Sequence, residues 1–291
     1  LTEDEKYELK IATLLHDCGK VTTPVHIVDK ATKLEKIFDR IDLIKTRVEV
    51  LRRDAWLKLL REKIAALEDG QPFDEEAAEQ RLAAFLRQLD ADKEVLRTCN
   101  IGSEYMPPAM QDQIREISER YRWINPDGVE EAFLSEDEVN NLMVQKGTLT
   151  QEDREIINYH IVATINMLES LKFPARMRNV GKYAGAHHER NDGSGYPRGL
   201  QGGDIPIQAR IMAVADVFEA LTAKDRPYKE AIRLSQALQI LEKLRDDGKL
   251  DRDVVDLFIR EKVYMRYAEQ YLDPEQIDID LMSEFRGDHP E

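Results

Sequence analysis

The sequence predicts an all-α fold in which a long helical hairpin is inserted into a helical domain. Apolar residues recur at spacings of three and four along most of the chain, which is the periodicity of amphipathic helices. No stretch shows the apolar and polar alternation that is typical of half-buried strands. Charged residues make up 34% of the chain and aromatic residues only 7%, a composition that fits helices with long charged faces.

The first predicted helix covers residues 2–18 and has one buried face. Its apolar positions recur at helical spacing and are Tyr7, Ile11, Leu14 and Leu15. His16 and Asp17 fall at the C-terminal end of this helix, and Gly19 then allows the chain to turn. We therefore expect an imidazole and a carboxylate to be presented together at a helix end.

Residues 32–147 predict an inserted antiparallel helical hairpin or coiled coil with smaller helices attached. The first apolar seam follows heptad spacing and contains Leu34, Ile37, Ile41, Ile44, Val48 and Leu51. We expect its helix to run from Lys33 to Leu67. Two shorter seams consist of Ala78, Leu82, Phe85 and Leu89, and of Met110, Ile114, Ile117, Tyr121 and Ile124. The main domain is then expected to comprise residues 1–31 and 148–291.

The second part of the main domain is predicted to contain helices joined by one glycine-rich loop. Thr150 with Asp153 three residues later has the pattern of a helix N-cap, and the helix that follows contains His160. Further helices are predicted over residues 175–188, 207–223, 235–244 and 252–271. Between the first two of these, residues 191–206 hold five of the fourteen glycines and form the loop.

Charge and cysteine usage limit the functional classes. A net charge of −15 argues against binding to DNA or to an anionic membrane, since both require a basic surface. The two isolated cysteines, Cys18 and Cys99, form no disulfide framework and predict a reducing cytoplasm. We find no signal peptide and no apolar run near the ~18 residues that a membrane span requires. Because the chain begins at Leu1 within a predicted helix, we expect it to be part of a longer protein.

A set of histidines and aspartates suggests a metal centre. The candidate ligands are His16, Asp17, His160, His187, His188 and Asp216. Imidazole and carboxylate together suit divalent iron, manganese, zinc or nickel. Any one of these residues alone could have a structural role instead of binding a metal. His160, for example, could be a hydrogen-bonded histidine of the core. Asp216, however, lies within a strongly apolar helix, where an unpaired carboxylate is costly to bury. A carboxylate between two histidine groups can bridge two metal ions, which activate water for phosphoryl displacement.

The combined motifs resemble the HD-GYP domain, a branch of the HD phosphohydrolase superfamily. The resemblance is carried by the His-Asp-x-Gly-Lys segment at 16–20, by His160 and by the HHERNDGSGYP segment at 187–197. It continues through residues 205–222 and the Arg-Pro-Tyr-Lys segment at 226–229. The family implies an HD-type helical bundle with a binuclear or trinuclear metal centre. It also implies hydrolysis of the bacterial messenger cyclic di-GMP to pGpG or onward to GMP.

Residue roles follow from the resemblance motif by motif. The six candidate ligands named above would bind two divalent transition metal ions, with Fe or Mn favoured over Ni or Zn and with Asp17 as the bridge. Lys20 and Asp17 would serve catalysis, with the Lys20 ammonium offsetting charge on the leaving oxygen or protonating it. Arg226, Lys229 and Tyr196 would contact the substrate.

Alternatives remain at this stage. The nearest alternative substrate is a second cyclic dinucleotide, 3′,3′-cyclic GMP-AMP, because nothing in the sequence discriminates guanine from adenine in the pocket for the second base. A non-catalytic cyclic di-GMP sensor that signals through the helical insertion is the alternative outside the enzymes. Protein partners or self-association would use residues 32–147 or the GYP loop. The interval from His16 to His160 is long for the family, so the insertion must leave and return at neighbouring points.

Overall fold

The computed structural model describes residues 1–103, 105–223 and 232–279. Arg226 and Lys229, the predicted phosphate-binding residues, lie outside these ranges. The α-helices within these ranges are, in chain order, α1 (Glu3–Leu15), α2 (Val25–Val28), α3 (Ile41–Glu68), α4 (Glu75–Asn100), α5 (Pro108–Arg120), α6 (Glu136–Leu142), α7 (Gln151–Glu169), α8 (Val180–Ala184), α9 (Ile207–Thr222), α10 (Leu234–Asp246), α11 (Arg252–Arg260) and α12 (Val263–Tyr271). The predicted all-α class is confirmed. No helix among the described residues is both long and apolar enough to span a membrane.

One antiparallel strand pair interrupts the helices in the described part of the chain. Strands β1 (Arg122–Ile124) and β2 (Glu130–Ala132) pair with Trp123 opposite Glu131. The prediction that the third seam is helical as far as Ile124 is therefore wrong. The side chain of Asn125 accepts backbone hydrogen bonds from Asp127 and Val129, which stabilises a tight turn and ends the helical periodicity.

The chain divides into two compact units. One comprises residues 25–154, and the other combines residues 1–24 with residues 155–291. The first unit contains the predicted helical insertion, which was placed at 32–147. The second contains all six candidate metal ligands.

In the 25–154 unit, α3 and α4 form an antiparallel hairpin. Lys63 pairs with Glu75 near the connecting turn, and Arg52 pairs with Asp90 further from it. Their core is closed by α5 and α6 and includes Ile44, Val48, Leu51, Leu89, Leu96, Ile114, Ile117 and Leu142. The predicted hairpin is thus confirmed.

The start of α3 differs from the sequence prediction. The helix begins at Ile41 rather than at Lys33, because the preceding residues form an irregular segment that is held to the end of α4. Asn100 supplies this anchor, since its side-chain oxygen accepts the Leu34 backbone N–H at 2.8 Å. Leu34 is completely buried without being helical, whereas Ile37 is 93% exposed. The heptad spacing of these two positions was therefore fortuitous.

Buried polar contacts tie together the two ends of the 25–154 unit. The Lys30 ammonium donates to Asn141 Oδ1 at 2.7 Å and to Asp153 Oδ2 at 2.6 Å. The Thr148 hydroxyl donates to the Lys30 carbonyl oxygen at 2.9 Å. Asp153 also accepts the Thr150 backbone N–H, as the predicted N-cap pattern required. The insertion therefore leaves and returns at neighbouring points.

In the other unit, α1 packs against α8 through a buried carboxylate. Glu8 is only 4% exposed and accepts hydrogen bonds from the backbone and side chain of Asn179, which precedes α8. Helices α9, α10 and α11 form a second part of the core around Phe218, Leu241 and Val255. The predicted helix over residues 207–223 is confirmed as α9.

Two predicted helices of this unit are shorter or broken. The helix expected over 175–188 is a 3-10 turn followed by the short helix α8, which ends at Ala184, so the two histidines lie in the turns beyond it. The helix expected over 252–271 breaks at Lys262, which has a φ of 48° and separates α11 from α12.

The tie at Lys30 predicts a large stability effect. Lys30→Ala would leave the buried Asn141 and the half-buried Asp153 without their cationic partner, so we expect the free energy of unfolding to fall by about 3 kcal/mol. Lys45→Ala is the matched control, because Lys45 pairs with Asp42 on the exposed surface and should cost less than about 1 kcal/mol. Urea unfolding followed by circular dichroism measures both. Equal losses in the two variants would contradict this role for Lys30.

Candidate metal centre

The end of α1 is held against α7 by the buried hydroxyl of Thr164. Its oxygen accepts the Gly19 backbone N–H at 2.9 Å and donates to the His16 carbonyl oxygen at 3.2 Å. A Cβ at Gly19 would lie 2.0 Å from the His160 carbonyl oxygen, so only glycine permits this approach. The turn that follows α1 therefore brings Asp17 alongside His160.

Three candidate histidines share one orientation. The Nδ1 atoms of His16 and His187 each lie 2.6 Å from a backbone carbonyl oxygen three residues earlier, and His160 makes the same contact. An Nδ1–H that donates to a carbonyl leaves the Nε2 lone pair free to bind a metal. This arrangement is the one that metal-binding histidines generally adopt.

The six predicted ligands converge within the second unit. His160 Nε2 lies 3.2 Å from Asp17 Oδ1, and His16 Nε2 lies 3.1 Å from Asp17 Oδ2. Two groups of side chains have ligand atoms within 4.8 Å of one another. One consists of Asp17, His160, His187 and His188, and the other consists of His16, Asp17 and Asp216. Asp17 belongs to both groups, with one oxygen near each.

The electrostatics of the cluster favour a bound cation. Burial disfavours the charged form of Asp17, but the neighbouring His16, His160 and Lys20 outweigh it and hold the pKa of Asp17 well below its usual range. The carboxylates of Asp17 and Asp216 raise the pKa of His16 to about 10, so this imidazole must release a proton before its Nε2 can bind a metal ion. Burial lowers the pKa of His187, which keeps this imidazole neutral and able to act as a ligand.

The donor set of the described residues fits a metal centre. Three atoms of the cluster are buried without a hydrogen bond of acceptable geometry, namely Asp17 Oδ1, His160 Nε2 and His187 Nε2, although the first two lie 3.2 Å apart. Leaving buried polar atoms unpaired is costly, so such atoms are usually satisfied by a bound water molecule or ion. These three atoms belong to a single candidate group, so one divalent ion would satisfy all of them. Imidazole nitrogens and carboxylate oxygens are suitable ligands for divalent transition metals.

Lys20 is positioned by the same aspartate. It lies in a 3-10 helix, Cys18–Thr22, and its Nζ donates to Asp17 Oδ2 at 2.7 Å. The Lys20 side chain is 47% exposed, so its ammonium stays accessible from solvent while it contacts the edge of the cluster. It can therefore reach a ligand that binds beside Asp17.

Tyr196 belongs to the glycine-rich loop and contacts the cluster at His188. Its ring stacks on His188 with centroids 4.8 Å apart, and its backbone N–H donates to the His188 carbonyl oxygen. Burial raises the pKa of Tyr196 to about 12, so its hydroxyl stays protonated and can donate a hydrogen bond. A Cβ at Gly195 would lie 2.3 Å from the Arg190 backbone nitrogen, which explains the glycine before this tyrosine.

Glu189 holds the loop in place. This carboxylate is 3% exposed and accepts the backbone N–H groups of Arg198 and Leu200, both at 2.9 Å. The sequence motif contains Glu189, but its pattern assigned it no role. Thr164 was missed as well, although it follows His160 by four residues and so lies on the same face of α7. Helical spacing from a candidate ligand was the signal that could have found it.

Part of the chain matches a known family model. Residues 137–254 match the family model of the HD domain. This range includes His160, His187, His188 and Asp216, but it begins after His16 and Asp17.

Three characterised relatives share cyclic dinucleotide chemistry. A cyclic di-GMP phosphodiesterase of Thermotoga maritima is 30% identical over 247 residues, which cover 75% of this chain and 63% of the relative. The cyclic di-GMP phosphodiesterase response regulator RpfG of Xanthomonas campestris is 42% identical over 42% of the chain and 31% of its own length. The 3′3′-cGAMP-specific phosphodiesterase 1 of Vibrio cholerae is 49% identical over 28% of the chain and 19% of its own length. The chain thus spans less than two thirds of each relative.

The Thr164 contacts predict a change in metal affinity. Thr164→Val removes the hydroxyl that fixes the turn after α1, so we expect divalent metal affinity to fall about 10- to 100-fold, as for residues that orient ligands. Thr164→Ser keeps the hydroxyl and should retain most of the affinity. Isothermal titration of metal-free protein with Mn²⁺ measures this. Equal affinities for the valine and serine variants would show that the hydroxyl has no part in orienting the ligands.

Proposed function

We propose that this chain carries an HD domain of the HD-GYP type and that it is a metal-dependent phosphodiesterase that hydrolyses cyclic di-GMP to pGpG or GMP. The observation that carries the proposal is the shared position of Asp17, which lies between two groups of potential ligands. A bridging carboxylate of this kind is suited to two divalent ions that act on one phosphodiester. The 25–154 unit is then an insertion between the ligands of one catalytic domain.

The proposed ligand set assigns His16 and Asp216 to one ion, and His160, His187 and His188 to the other. Asp17 would bind both. Mixed imidazole and carboxylate ligands favour Fe or Mn, while Ni and Zn are also compatible. When bound, such ions supply an activated water molecule and neutralise charge on the phosphate. The two unpaired cysteines, Cys18 and Cys99, support the proposed setting in a reducing cytoplasm.

The chain's own residues would bind and orient the dinucleotide around this centre. Lys20 would donate a proton to the leaving oxygen, and the contact of its ammonium with Asp17 Oδ2 supports this role. Tyr196 presents a protonated hydroxyl beside His188 and would contact the nucleotide. Arg226 and Lys229, which lie outside the described residues, would contact the phosphates through charge-assisted hydrogen bonds. Local cations of this kind are required, because the net charge of −15 repels an anionic substrate.

A second substrate is favoured by a specific observation. The Vibrio cholerae relative named for 3′3′-cGAMP has the highest identity of the three, although over a short span. We therefore propose 3′,3′-cyclic GMP-AMP as the alternative substrate of the same centre. The metal ligands and Lys20 would act on the phosphodiester in the same way, and only contacts to the second base would differ.

Hydrolysis by the metal-loaded protein tests the function. We expect Mn²⁺- or Fe²⁺-loaded protein to convert cyclic di-GMP to pGpG or GMP, with 3′,3′-cyclic GMP-AMP assayed beside it by chromatography. Asp17→Ala should lower turnover by at least about a hundredfold, because it removes a ligand of both ions. Asp42→Ala, a change at an exposed carboxylate of α3, is the control and should have no effect. Tight binding of cyclic di-GMP without turnover, unchanged in Asp17→Ala, would instead indicate a sensor.

Lys20 should affect the chemical step rather than metal binding. Lys20→Met is expected to lower kcat by about 10²- to 10⁴-fold, the usual contribution of a general acid, with metal content unchanged. Lys6→Met is the control, since Lys6 is an exposed residue of α1 paired with Glu3. Metal content is measured by elemental analysis of the same samples. A variant that loses its metal along with its activity would show that Lys20 supports the ligands and is not the acid.

A further inference from the structure

The C-terminal half of α3 carries an exposed apolar stripe, which no other described residue covers. We call the distal stripe the set Trp56, Leu57, Leu60, Ile64 and Leu67. Its members are between 47% and 67% exposed. The positions on the adjacent side of the helix, Ala55, Leu59 and Ala66, are half-buried. The distal stripe therefore lies beside the surface that α3 uses within its own hairpin.

The distal stripe has the spacing of a second coiled-coil seam. Leu57, Leu60, Ile64 and Leu67 are separated by three, four and three residues, which is the a/d pattern of a heptad repeat. Scattered single apolar residues on a surface are ordinary, but a contiguous stripe in heptad register marks an interaction site. The pattern specifies a helical partner that runs alongside α3.

We propose that the distal stripe packs against the same stripe of a second copy of this chain, with the two α3 helices parallel. This inference is independent of the proposed hydrolysis. It concerns only residues of the 25–154 unit, and it assigns the insertion a role in dimer formation.

The flanking charges support a second copy in this orientation. In a parallel pair, each g position faces the e position of the next heptad in the other helix. Lys63 then faces Glu68 of the second copy, and Trp56 faces Arg61 of the second copy, an ion pair and a cation–π pair. An antiparallel pair would instead place Arg61 near Arg61 and Lys63 near Lys63. The charges therefore favour the parallel arrangement.

The charges around the distal stripe also permit two copies of the chain to associate there. The chain carries a net charge of −15, but residues 53–68 contain four basic and three acidic side chains. Repulsion between two copies is therefore small along this part of α3. Lys63 also pairs with Glu75 of its own chain at 2.5 Å, but such an exposed pair is worth little and leaves the ammonium able to serve both carboxylates.

Sedimentation velocity on the chain as it stands tests the association. We expect a dimer at micromolar concentration, and we expect Leu60→Glu or Ile64→Glu to weaken it by at least a hundredfold. Both substitutions are at exposed positions, so the helical circular dichroism and the Tm should stay close to those of the unchanged protein. Leu171→Glu is the matched control, because Leu171 is 54% exposed and lies in the other unit. A chain that is monomeric at about 100 μM, or a dimer that persists in Leu60→Glu, would overturn the proposal.

Cross-linking and charge exchange test the orientation. In the parallel arrangement, position 60 faces position 60, so Leu60→Cys should form an interchain disulfide under mild oxidation. The unchanged protein measures the background from Cys18 and Cys99. Glu68→Lys should weaken the dimer, and adding Lys63→Glu should restore it. A dimer that forms no cross-link with Leu60→Cys, or that the double exchange does not restore, would overturn the parallel arrangement.

Discussion

The candidate metal centre depends on one close contact between two segments 145 residues apart, the hydrogen bond from the Gly19 backbone N–H to the Thr164 hydroxyl. This contact holds the turn after α1 against the middle of α7, and it requires that residue 19 have no side chain. Asp17 and His160 face each other as a result. The remaining ligands come from the turns after α8 and from α9, which are held by Glu8 and by the shared core.

Much of the fold and the candidate ligand set could be predicted from the sequence, for different reasons. The α3–α4 hairpin and α9 have strong periodicity, which tertiary contacts reinforced. The boundaries failed where such contacts competed with periodicity, as at Leu34, where Asn100 holds the backbone in an irregular path. The residue types suggested the six candidate ligands, and the family resemblance supported grouping them, because spacing alone cannot show that positions 16 and 160 meet. For Thr164 the only signal was its position four residues after His160 on the same face of α7, because a threonine inside a helix has no such role on its own.

Acidic residues outnumber basic residues in this protein by 57 to 42, and the arrangement of the candidate ligands reflects this excess. The histidine Nδ1 atoms face backbone carbonyls rather than carboxylates, so the acidic oxygens of Asp17 and Asp216 remain directed at the cluster. Metal ions are often the largest local charges in such sites and reverse the local electrostatic preference. In a chain with a net charge of −15, bound metals and a few lysines and arginines would have to provide the attraction for a dinucleotide with two phosphates.

The tie between Lys30 and Asp153 has a consequence for the order of folding. Bringing positions 16 and 160 together in an unfolded chain closes a loop that contains the whole insertion. The entropic cost of closing a loop grows with its length. Once the insertion has folded and its ends are joined, only the short stretches on either side remain to be closed, which lowers that cost by about 2 kcal/mol. If the insertion folds first, it holds its own two ends together. The ligands on either side of it can then meet almost as if they were neighbours in sequence.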